Sequence, residues 1–432
     1  MSKILIIGTG PVAIQLANIC YKYTDTIIDM VGRATTSTKS QRLFQAYKRD
    51  GYFEVMAQNA IHQHLTGQFQ VNNLYGDLSQ VKDEYDTVIM ACTADAYHNV
   101  LRQLPTPTLE NIKHIVLVSP TFGSHMIVEQ FIMKFNKDIE VISYSTYIGD
   151  TRVINHMAPN RVLTTGVKTK IYMGSNHEFS EMTGYLKDLF QRLKIKMSVM
   201  ASPLHAESRN SSLYLHPPLF MNDFSLTAVF DGTKVPVYIY KLFPEGPITM
   251  TLIHEMRLMW KEISTITQKL NVPTINLLEF MTKENYPVKA ESIDKDNIEN
   301  FETLPNILQE YLLYVRYSAI LIDPFSKPDN KGRYFDFSAV PIQRVDQDEQ
   351  QIIRIPRMPS EDYYRTAIIQ HIAKLLGIAT PMIDKFLQRY IERCQRYRLE
   401  HPDQRLSSQF DIELFKEDMD LITRFLEIKK IV

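Results

Sequence analysis

The stretch ILIIGTGPVAIQLANICYKY, residues 4–23, decides the fold of the first part of this chain. An apolar run of strand length leads directly into a glycine-containing turn, and apolar residues at helical spacing follow the turn. The turn has the pattern GxGxxA, formed by Gly8, Gly10 and Ala13. In such a turn the first glycine permits a tight bend, and the second lets the backbone approach a pyrophosphate. The third small residue lets the helix pack closely on the strand. The stretch therefore predicts a strand, a dinucleotide-binding turn and a helix.

The predicted helix begins with Pro11 and Val12 directly after the second glycine. Proline suits the first helical position because its missing N–H has no helical partner there. The N–H groups and partial positive charge of a helix N-terminus attract phosphate. We therefore predict that Gly8, Gly10, Pro11, Val12 and Ala13 bind a cofactor. The alternative is an ordinary tight turn, since a GxGxxA pattern is weak evidence without its strand and helix.

Short apolar runs alternate with helical segments over the first 150 residues. The runs are KILIIG, TIIDMVG, DTVIMACTA, HIVLVSPT and IEVISYSTYIGD. Continuous apolar runs of this length are typical of parallel strands that are buried on both faces. Their alternation with helices predicts right-handed βαβ units and a doubly wound, Rossmann-like α/β domain. RVLTTGVKTKIYMGSN predicts one or two further strands and EFSEMTGYLKDLFQRLKI a helix, so we place this domain at residues 1–200.

Helical patterns dominate from residue 201 to residue 432. The clearest are ITMTLIHEMRLMWKEISTITQKLN, LPNILQEYLLYVRYSAIL, SEDYYRTAIIQHIAKLLG and PMIDKFLQRYIERCQRYRLE. Between the second and the third lies a polar segment with Gly, Pro and Asp, residues 323–356, which predicts an insertion with a short hairpin. We therefore expect a mainly helical second domain.

The composition is that of an ordinary water-soluble globular protein. The chain has 432 residues and a formal net charge of -1, which disfavours a nucleic-acid partner. Its three cysteines, Cys20, Cys92 and Cys394, are too far apart for a disulfide framework or a thiolate metal cluster. No signal peptide and no apolar stretch of about 20 residues is present, so we expect a cytoplasmic protein without a membrane partner.

The choice between NAD and NADP depends on the segment VGRATTSTKS, residues 31–40. NAD-dependent proteins usually carry an acid at the end of the second strand, about 20 residues after the glycine motif, that binds the ribose 2′-hydroxyl. Asp29 has about this spacing but lies inside the predicted strand, and Arg33 occupies its end. Arg33 and Lys39, with hydroxyl groups such as that of Ser37, offer cations and donors to a 2′-phosphate. We therefore predict NADPH as the cofactor; the alternative is a solvated polar loop.

Two further sites hold candidate residues for chemistry or substrate binding. Asn210 and His216 lie in ESRNSSLYLHPPLFMND, after the expected domain boundary. An imidazole exchanges protons near neutrality, although a single His is more often structural. Asp150 follows ISYSTYIG, and we expect it at the carboxyl end of that strand-like run, where it could hold a substrate ammonium or imidazole group. The alternative for Asp150 is a cap of a helix or turn.

Three motifs together resemble the opine dehydrogenases, and closely the branch that makes opine metallophores. They are GTGPVA, RNSSLYLHPP and SEDYYRTAIIQHIAKLLGIATPMID, and they span nearly the whole chain. The second is similar to the family's Asn-x-x-x-x-x-His-Pro region. The third is similar to its Glu-Asp, helix and Gly-x-x-Thr-Pro. The resemblance implies an NAD(P)-binding domain joined to a mainly helical substrate domain.

The resemblance also implies roles for individual residues. It makes His216 the catalytic acid/base and requires a carboxylate that orients it. Asp362 in SEDYY matches that carboxylate by position, but the polar insertion separates it from the Arg-Tyr pair that lies nearby in the family. Asp323 in LIDP and Asp150 are therefore the alternatives for this carboxylate. Arg316 would bind a substrate carboxylate, and Asp150 would recognise the cationic groups of the amine substrate.

The reaction implied by the resemblance is a reductive condensation of pyruvate with the amine of a histidine-derived aminobutyrate, with NADPH as reductant. The product is a metal-chelating opine, so the metal belongs to the product and we expect none in the enzyme. The resemblance further suggests a homodimer. An NADP-dependent hydroxyacid dehydrogenase and a non-catalytic NADP-sensing protein are the alternatives.

Overall fold

The computed structural model describes residues 2–82, 84–285, 287–412 and 415–432. The chain forms two compact units. The first comprises residues 1–209 together with 424–429, and the second comprises residues 210–423 together with 430–432. The units therefore change at residue 209, slightly beyond the expected boundary, and the sequence did not predict that a C-terminal segment belongs to the first unit.

The first unit contains twelve of the described strands and seven of the described helices. The strands are β1 Lys3–Ile7, β2 Ile27–Val31, β3 Phe53–Ala57, β4 Gly67–Phe69, β5 Asn73–Tyr75, β6 Thr87–Met90, β7 His114–Leu117, β8 Glu140–Tyr144, β9 Gly149–Val153, β10 Arg161–Val167, β11 Lys170–Ser175 and β12 Lys196–Met200. The helices are α1 Pro11–Tyr23, α2 Thr38–Asp50, α3 Tyr97–Leu101, α4 Thr106–Asn111, α5 Ser124–Ile132, α6 Glu181–Arg192 and α7 Pro203–Glu207. Short 3-10 helices cover residues 60–65, 78–80 and 94–96.

The main sheet of the first unit has eight strands in the order β12-β11-β8-β7-β6-β1-β2-β5. All neighbours pair in parallel except β8 and β11, which are antiparallel. Strands β1, β6 and β7 lie in the middle, where both faces are covered, so they are apolar after their first residues, Lys3, Thr87 and His114. The predicted doubly wound, Rossmann-like fold is confirmed.

A second sheet of four strands, in the order β4-β3-β10-β9, was not predicted from the sequence. It corrects the placement of Asp150. The main-sheet strand β8 ends at Tyr144, and Asp150 instead lies in β9, where it is paired with Gly166 of β10. The expectation that Asp150 lies at the carboxyl end of a strand of the main sheet is therefore wrong. The apolar run continues across the turn without Gly or Pro, so its pattern did not show where the strand stops.

The start of α5 is fixed by the buried carboxylate of Glu207, at the end of α7. Glu207 is fully buried and accepts hydrogen bonds from the N–H groups of Gly123 and His125, at 2.8 and 2.9 Å, and from the hydroxyl of Ser143, at 2.8 Å. His125 Nδ1 also lies 2.9 Å from this carboxylate. A carboxylate that accepts hydrogen bonds from the N–H groups at a helix N-terminus stabilises that terminus. Glu207 thus ties α5, β8 and α7 together.

The second unit is mainly helical, as predicted. Its helices are α8 Ser211–Phe220, α9 Asp223–Phe230, α10 Met250–Lys269, α11 Leu277–Glu279, α12 Lys295–Glu299, α13 Asn306–Ala319, α14 Arg357–Leu375, α15 Pro381–Glu400 and most of α16 Lys416–Ile428. A π-helical turn covers residues 280–285, and 3-10 turns cover residues 301–303 and 408–410. The four patterns read from the sequence correspond to α10, α13, α14 and α15.

The polar insertion contains the short hairpin that its sequence predicts. Strands β13 Asp346–Gln347 and β14 Ile352–Arg354 pair antiparallel, and β14 also pairs in parallel with β15 Arg405–Leu406. Helix α8 packs against both α10 and α14, so the side chains of α8 and α14 meet inside this unit. Within the described ranges, no helix is both long and apolar enough to cross a membrane.

Candidate active site

The glycine turn after β1 leaves an open helix N-terminus. Gly8 has φ +135°, and a Cβ on it would lie 2.6 Å from the carbonyl oxygen of Ala91, so no other residue fits. A Cβ on Gly10 would meet nothing within 4 Å, so the backbone there is open to a ligand. Pro11 is the first residue of α1, and Ala13 is fully buried in the core. The N–H groups of Val12 and Ala13 precede the first helical hydrogen bond and are available to phosphate.

The segment after β2 presents two cations beside a second helix N-terminus. Arg33 and Lys39 are exposed, and neither forms an ion pair or a side-chain hydrogen bond with the described part of the chain. The N–H of Ser37 donates to the carbonyl oxygen of Arg33 at 2.8 Å, which folds the segment back, and the Ser37 hydroxyl caps α2. Two uncompensated cations at a helix start fit a dianionic phosphate.

Asp29, the candidate acid for binding NAD, forms hydrogen bonds within the protein instead. It is fully buried in β2. Its carboxylate accepts hydrogen bonds from the amide of Asn72 at 2.9 Å, the N–H of Asn73 at 2.8 Å and the hydroxyl of Tyr85 at 2.7 Å. Burial and the bond to Asp29 raise the pKa of Tyr85, which keeps this hydroxyl a donor. The carboxylate therefore acts within the protein interior, where a ribose hydroxyl does not reach it.

One acid beside the Arg33 segment was not identified from the sequence. The carboxylate of Asp77, which follows β5, accepts a hydrogen bond from the hydroxyl of Thr35 at 2.9 Å. Hydrogen bonds from the side chain and backbone of Ser79, and from Thr35, lower the pKa of Asp77. The hydroxyl of Thr35 is therefore held by the protein, and Ser37 and its neighbours remain the hydroxyl donors for an anion.

The second unit places His216 against Asp362. Nδ1 of His216, on α8, lies 3.2 Å from Oδ1 of Asp362, on α14. The Asp362 side chain is fully buried, whereas the His216 side chain is 20% exposed. On the other side of the ring, Nε2 lies 3.4 Å from the hydroxyl of Ser212, and the ring of Phe220 packs at 5.3 Å. A carboxylate at Nδ1 fixes the orientation of an imidazole and stabilises its protonated form.

Arg365 and Glu361 complete this cluster and were not singled out from the sequence. Nη2 of Arg365 donates to Glu361 at 2.7 Å, and its Nε lies 3.5 Å from Oδ1 of Asp362. Their spacing of three and four residues along α14 is the signal that could have identified them. Oδ2 of Asp362 and Nη1 of Arg365 are buried without a hydrogen-bond partner among the described residues. Asp362 thus shares its charge between an imidazole and a guanidinium.

Three other candidate residues of the second unit lie in different surroundings. The carboxylate of Asp323 accepts the N–H of Phe325 at 2.9 Å, so it caps its own turn, and it does not contact His216. The side chain of Asn210 caps α8 by accepting the N–H of Ser212 at 3.0 Å. Arg316 is 2% exposed and donates to the carbonyl oxygen of Met281 at 3.2 Å. The structure therefore brings Asp362, and not Asp323, to His216.

Asp150 lies in the first unit on the exposed edge strand β9. The hydroxyl of Tyr147 donates to its carboxylate at 3.2 Å. Burial lowers the pKa of the neighbouring Lys168, and the charge of Asp150 partly opposes that effect. The carboxylate is thus accessible, and it lies on a strand of the second sheet and not on one of the main sheet. In the described ranges, no group of three or more His, Cys, Asp or Glu side chains is placed to hold a metal ion.

The fold matches those of solved opine dehydrogenases. A structure described as yersinopine dehydrogenase with NADP+ bound superposes with a TM-score of 0.90 at 28% identity, over 99% of each chain. A structure of octopine dehydrogenase with NADH and pyruvate has a TM-score of 0.61 at 14% identity, over 91% of this chain and 89% of that one, which is a likeness of fold alone. The chain therefore has the opine dehydrogenase fold.

Sequence comparison narrows this class to one family. The family described as staphylopine dehydrogenase matches residues 2–426. Staphylopine synthase of Staphylococcus aureus is 66% identical over 430 residues, which cover 100% of this chain and 99% of the relative. Pseudopaline synthase of Pseudomonas aeruginosa is 33% identical over 397 residues, covering 92% and 91%. The chain belongs to the staphylopine dehydrogenase family.

Proposed function

We propose that this protein is an NADPH-dependent opine dehydrogenase that joins pyruvate to the amine of a histidine-derived aminobutyrate and so produces the metallophore staphylopine. The observation that carries the proposal is the pair formed by His216 and the fully buried Asp362, 3.2 Å apart. The 66% identity to a protein named staphylopine synthase supports the choice of product. The open turn at Gly10 supports a dinucleotide as the reductant.

The proposed cofactor is NADPH, held by the first unit. The pyrophosphate would lie at the N-terminus of α1, against the N–H groups that follow Gly10, and the 2′-phosphate would lie between Arg33, Lys39 and the hydroxyl of Ser37. The hydrogen bonds of Asp29 within the protein interior support NADPH over NADH. The NADP+ bound to yersinopine dehydrogenase supports the same choice. When bound, NADPH supplies the hydride that reduces the imine formed from the two substrates.

His216 would move protons in the condensation. The substrate amine must be neutral to attack the keto carbon, and the hydroxyl of the resulting carbinolamine must be protonated to leave as water. An imidazole can take the first proton and return the second. Asp362 would hold Nδ1 and stabilise the imidazolium, which leaves Nε2 to exchange protons with the substrate.

Substrate contacts are proposed for Asp150, Asn210 and Arg316. Asp150 is an exposed carboxylate and suits the cationic groups of the amine substrate. Asn210 is buried at the start of α8, the helix that carries His216. Arg316 suits a substrate carboxylate by charge, but its burial means that the carboxylate must enter the interior of the unit to reach it.

The decisive experiment is to incubate the purified protein with NADPH, pyruvate and the histidine-derived amine, and to identify the product by mass spectrometry. NADPH oxidation that needs both substrates, with a product mass equal to their reductive condensate, supports the proposal. Oxidation with pyruvate alone identifies a hydroxyacid dehydrogenase instead. Tight NADPH binding without turnover identifies a sensing protein.

We also propose that the protein acts as a cytoplasmic homodimer. The dimer is supported by the resemblance to a dimeric family, and the cytoplasmic location by the three free cysteines, Cys20, Cys92 and Cys394. Light scattering coupled to gel filtration should give twice the chain mass of 50.2 kDa, and cell fractionation should recover the protein with soluble cytoplasmic markers. A monomer mass at micromolar concentration contradicts the proposed dimer.

A further inference from the structure

A cavity of about 500 Å³ lies in the first unit at the amino-terminal edge of the main sheet. It is enclosed by one face of the sheet and by helices α1 and α6. Its walls are apolar and include Ile4, Leu16, Ile89, Val116, Leu186 and Leu189. The glycine turn follows the opposite, carboxyl end of β1, so the cavity is separate from the proposed cofactor site. Its size falls within the range of about 300 to 1,000 Å³ that is usual for small-molecule pockets.

The cavity lining includes the hydroxyl group of Tyr144. Tyr144, at the end of β8, lines the cavity and is only 2% exposed. Its ring packs edge-on against Phe190 at 5.6 Å, which fixes its position. The hydroxyl forms no hydrogen bond with the residues that the structure describes, and its oxygen is not among their fully buried unpartnered atoms, so it is open to the cavity. Burial raises the pKa of Tyr144, so the neutral hydroxyl can donate to a ligand or accept from it.

The rim of the cavity carries one uncompensated charge, and it is negative. Asp86 accepts a hydrogen bond from Lys113 Nζ at 2.7 Å and so is paired. His114 Nε2 lies 3.5 Å from the carboxylate of Glu140. Asp25 is exposed and forms no ion pair or hydrogen bond with the described residues. An ammonium group at the opening is therefore favoured over a carboxylate.

We propose that this cavity binds a small amphipathic amine. The apolar body of the ligand lies between α1 and α6, a polar atom on that body forms a hydrogen bond with the Tyr144 hydroxyl, and the ammonium group lies beside Asp25. The apolar walls supply most of the affinity, and the two polar contacts set the orientation. The inference does not depend on the proposed reaction, because its residues are separate from those of the proposed cofactor site.

Tryptamine is a suitable probe because its flat indole has one N–H group and its side chain ends in an ammonium. We expect the full-length protein to bind it with a dissociation constant of about 0.1 to 1 mM, as is usual for a ligand of this size. Calorimetry and saturation-transfer NMR measure the binding. Indole-3-propionate, an anion of similar size, should bind at least about fivefold more weakly, because it meets Asp25 at the opening.

Three variants test whether tryptamine binds in this cavity. Tyr144→Phe keeps the ring and should weaken tryptamine about threefold to tenfold, since it removes one hydrogen bond. Asp25→Asn should reduce the preference for tryptamine over indole-3-propionate, whereas Asp188→Asn, a matched acid on α6 outside the lining, should leave it unchanged. Val116→Phe fills the cavity and should abolish binding.

Unchanged NADPH affinity in each variant verifies that the fold is intact. If Val116→Phe does not fold, Tyr144→Phe decides alone. The proposal is overturned if tryptamine does not bind, if the anion binds equally well, or if Tyr144→Phe binds tryptamine as tightly as the unaltered protein.

Discussion

Replacing Asp362 by Asn tests how the buried carboxylate supports proton transfer at His216. The substitution keeps the size of the side chain but removes its charge. The two groups lie 3.2 Å apart, within hydrogen-bond distance. Removing one partner of a buried charge pair usually costs about 3 to 5 kcal/mol, and because the His216 side chain is 20% exposed we take about 3 to 4 kcal/mol as the loss. In the same variant the guanidinium of Arg365 loses the neighbouring negative charge of Asp362, which increases the cost of the substitution.

A loss of this size corresponds to a turnover about 10²- to 10³-fold lower than that of the unaltered protein. Steady-state kinetics with NADPH, pyruvate and the amine measure it, and NADPH affinity should stay unchanged because the cofactor residues lie in the first unit. Asp323→Asn is the matched control, since Asp323 caps its own turn, and it should retain nearly full turnover. The reasoning is refuted if Asp362→Asn retains turnover within about threefold, or if Asp323→Asn loses as much.

Three further predictions concern the first unit. Arg33→Ala should raise the KM for NADPH about 10- to 100-fold and leave that for NADH nearly unchanged, because it removes a charged contact to the 2′-phosphate; Lys48→Ala, at the other end of α2, should change neither. Gly8→Ala should prevent folding or lower the melting temperature strongly in a thermal scan, because its Cβ would lie 2.6 Å from a carbonyl oxygen and its φ is +135°. Asp29→Asn should reduce the free energy of unfolding by about 1 to 3 kcal/mol in urea titrations without changing the preference for NADPH, whereas a shift of preference toward NADH would show that Asp29 contacts the cofactor.

Local patterns predicted much of the first unit. The glycine turn and the apolar runs of β1, β2, β6 and β7 are properties of consecutive residues, and they indicated the parallel sheet directly. The second sheet was missed because β4 has only three residues and because β3 pairs with β10, about 100 residues later in the chain. The misplacement of Asp150 has a similar cause, since the change of sheet after β8 is made by Ser, Thr and Tyr, which strands also contain.

The contact between His216 and Asp362, the candidate catalytic pair, could not be predicted from the sequence. His216 and Asp362 are 146 residues apart, and their contact depends on the packing of α8 against α14. The sequence left three acids open for the role, Asp150, Asp323 and Asp362, and tertiary structure brings Asp362 to His216. Arg365 differs, because its position three and four residues after two acids on one helix was visible in the sequence.

The acidic and basic side chains around His216 balance one another in charge. Asp362 and Glu361 contribute two negative charges, while Arg365 and Arg357, whose Nε lies 3.2 Å from Glu361, contribute two positive charges. The group is therefore neutral when His216 is neutral, and it carries one positive charge when His216 is protonated. The protonated form favours an anion nearby, such as the carboxylate of a 2-oxo acid, because that anion offsets its excess charge. Arg365 gives the Asp362 carboxylate a second positively charged neighbour, so Asp362 does not serve His216 alone.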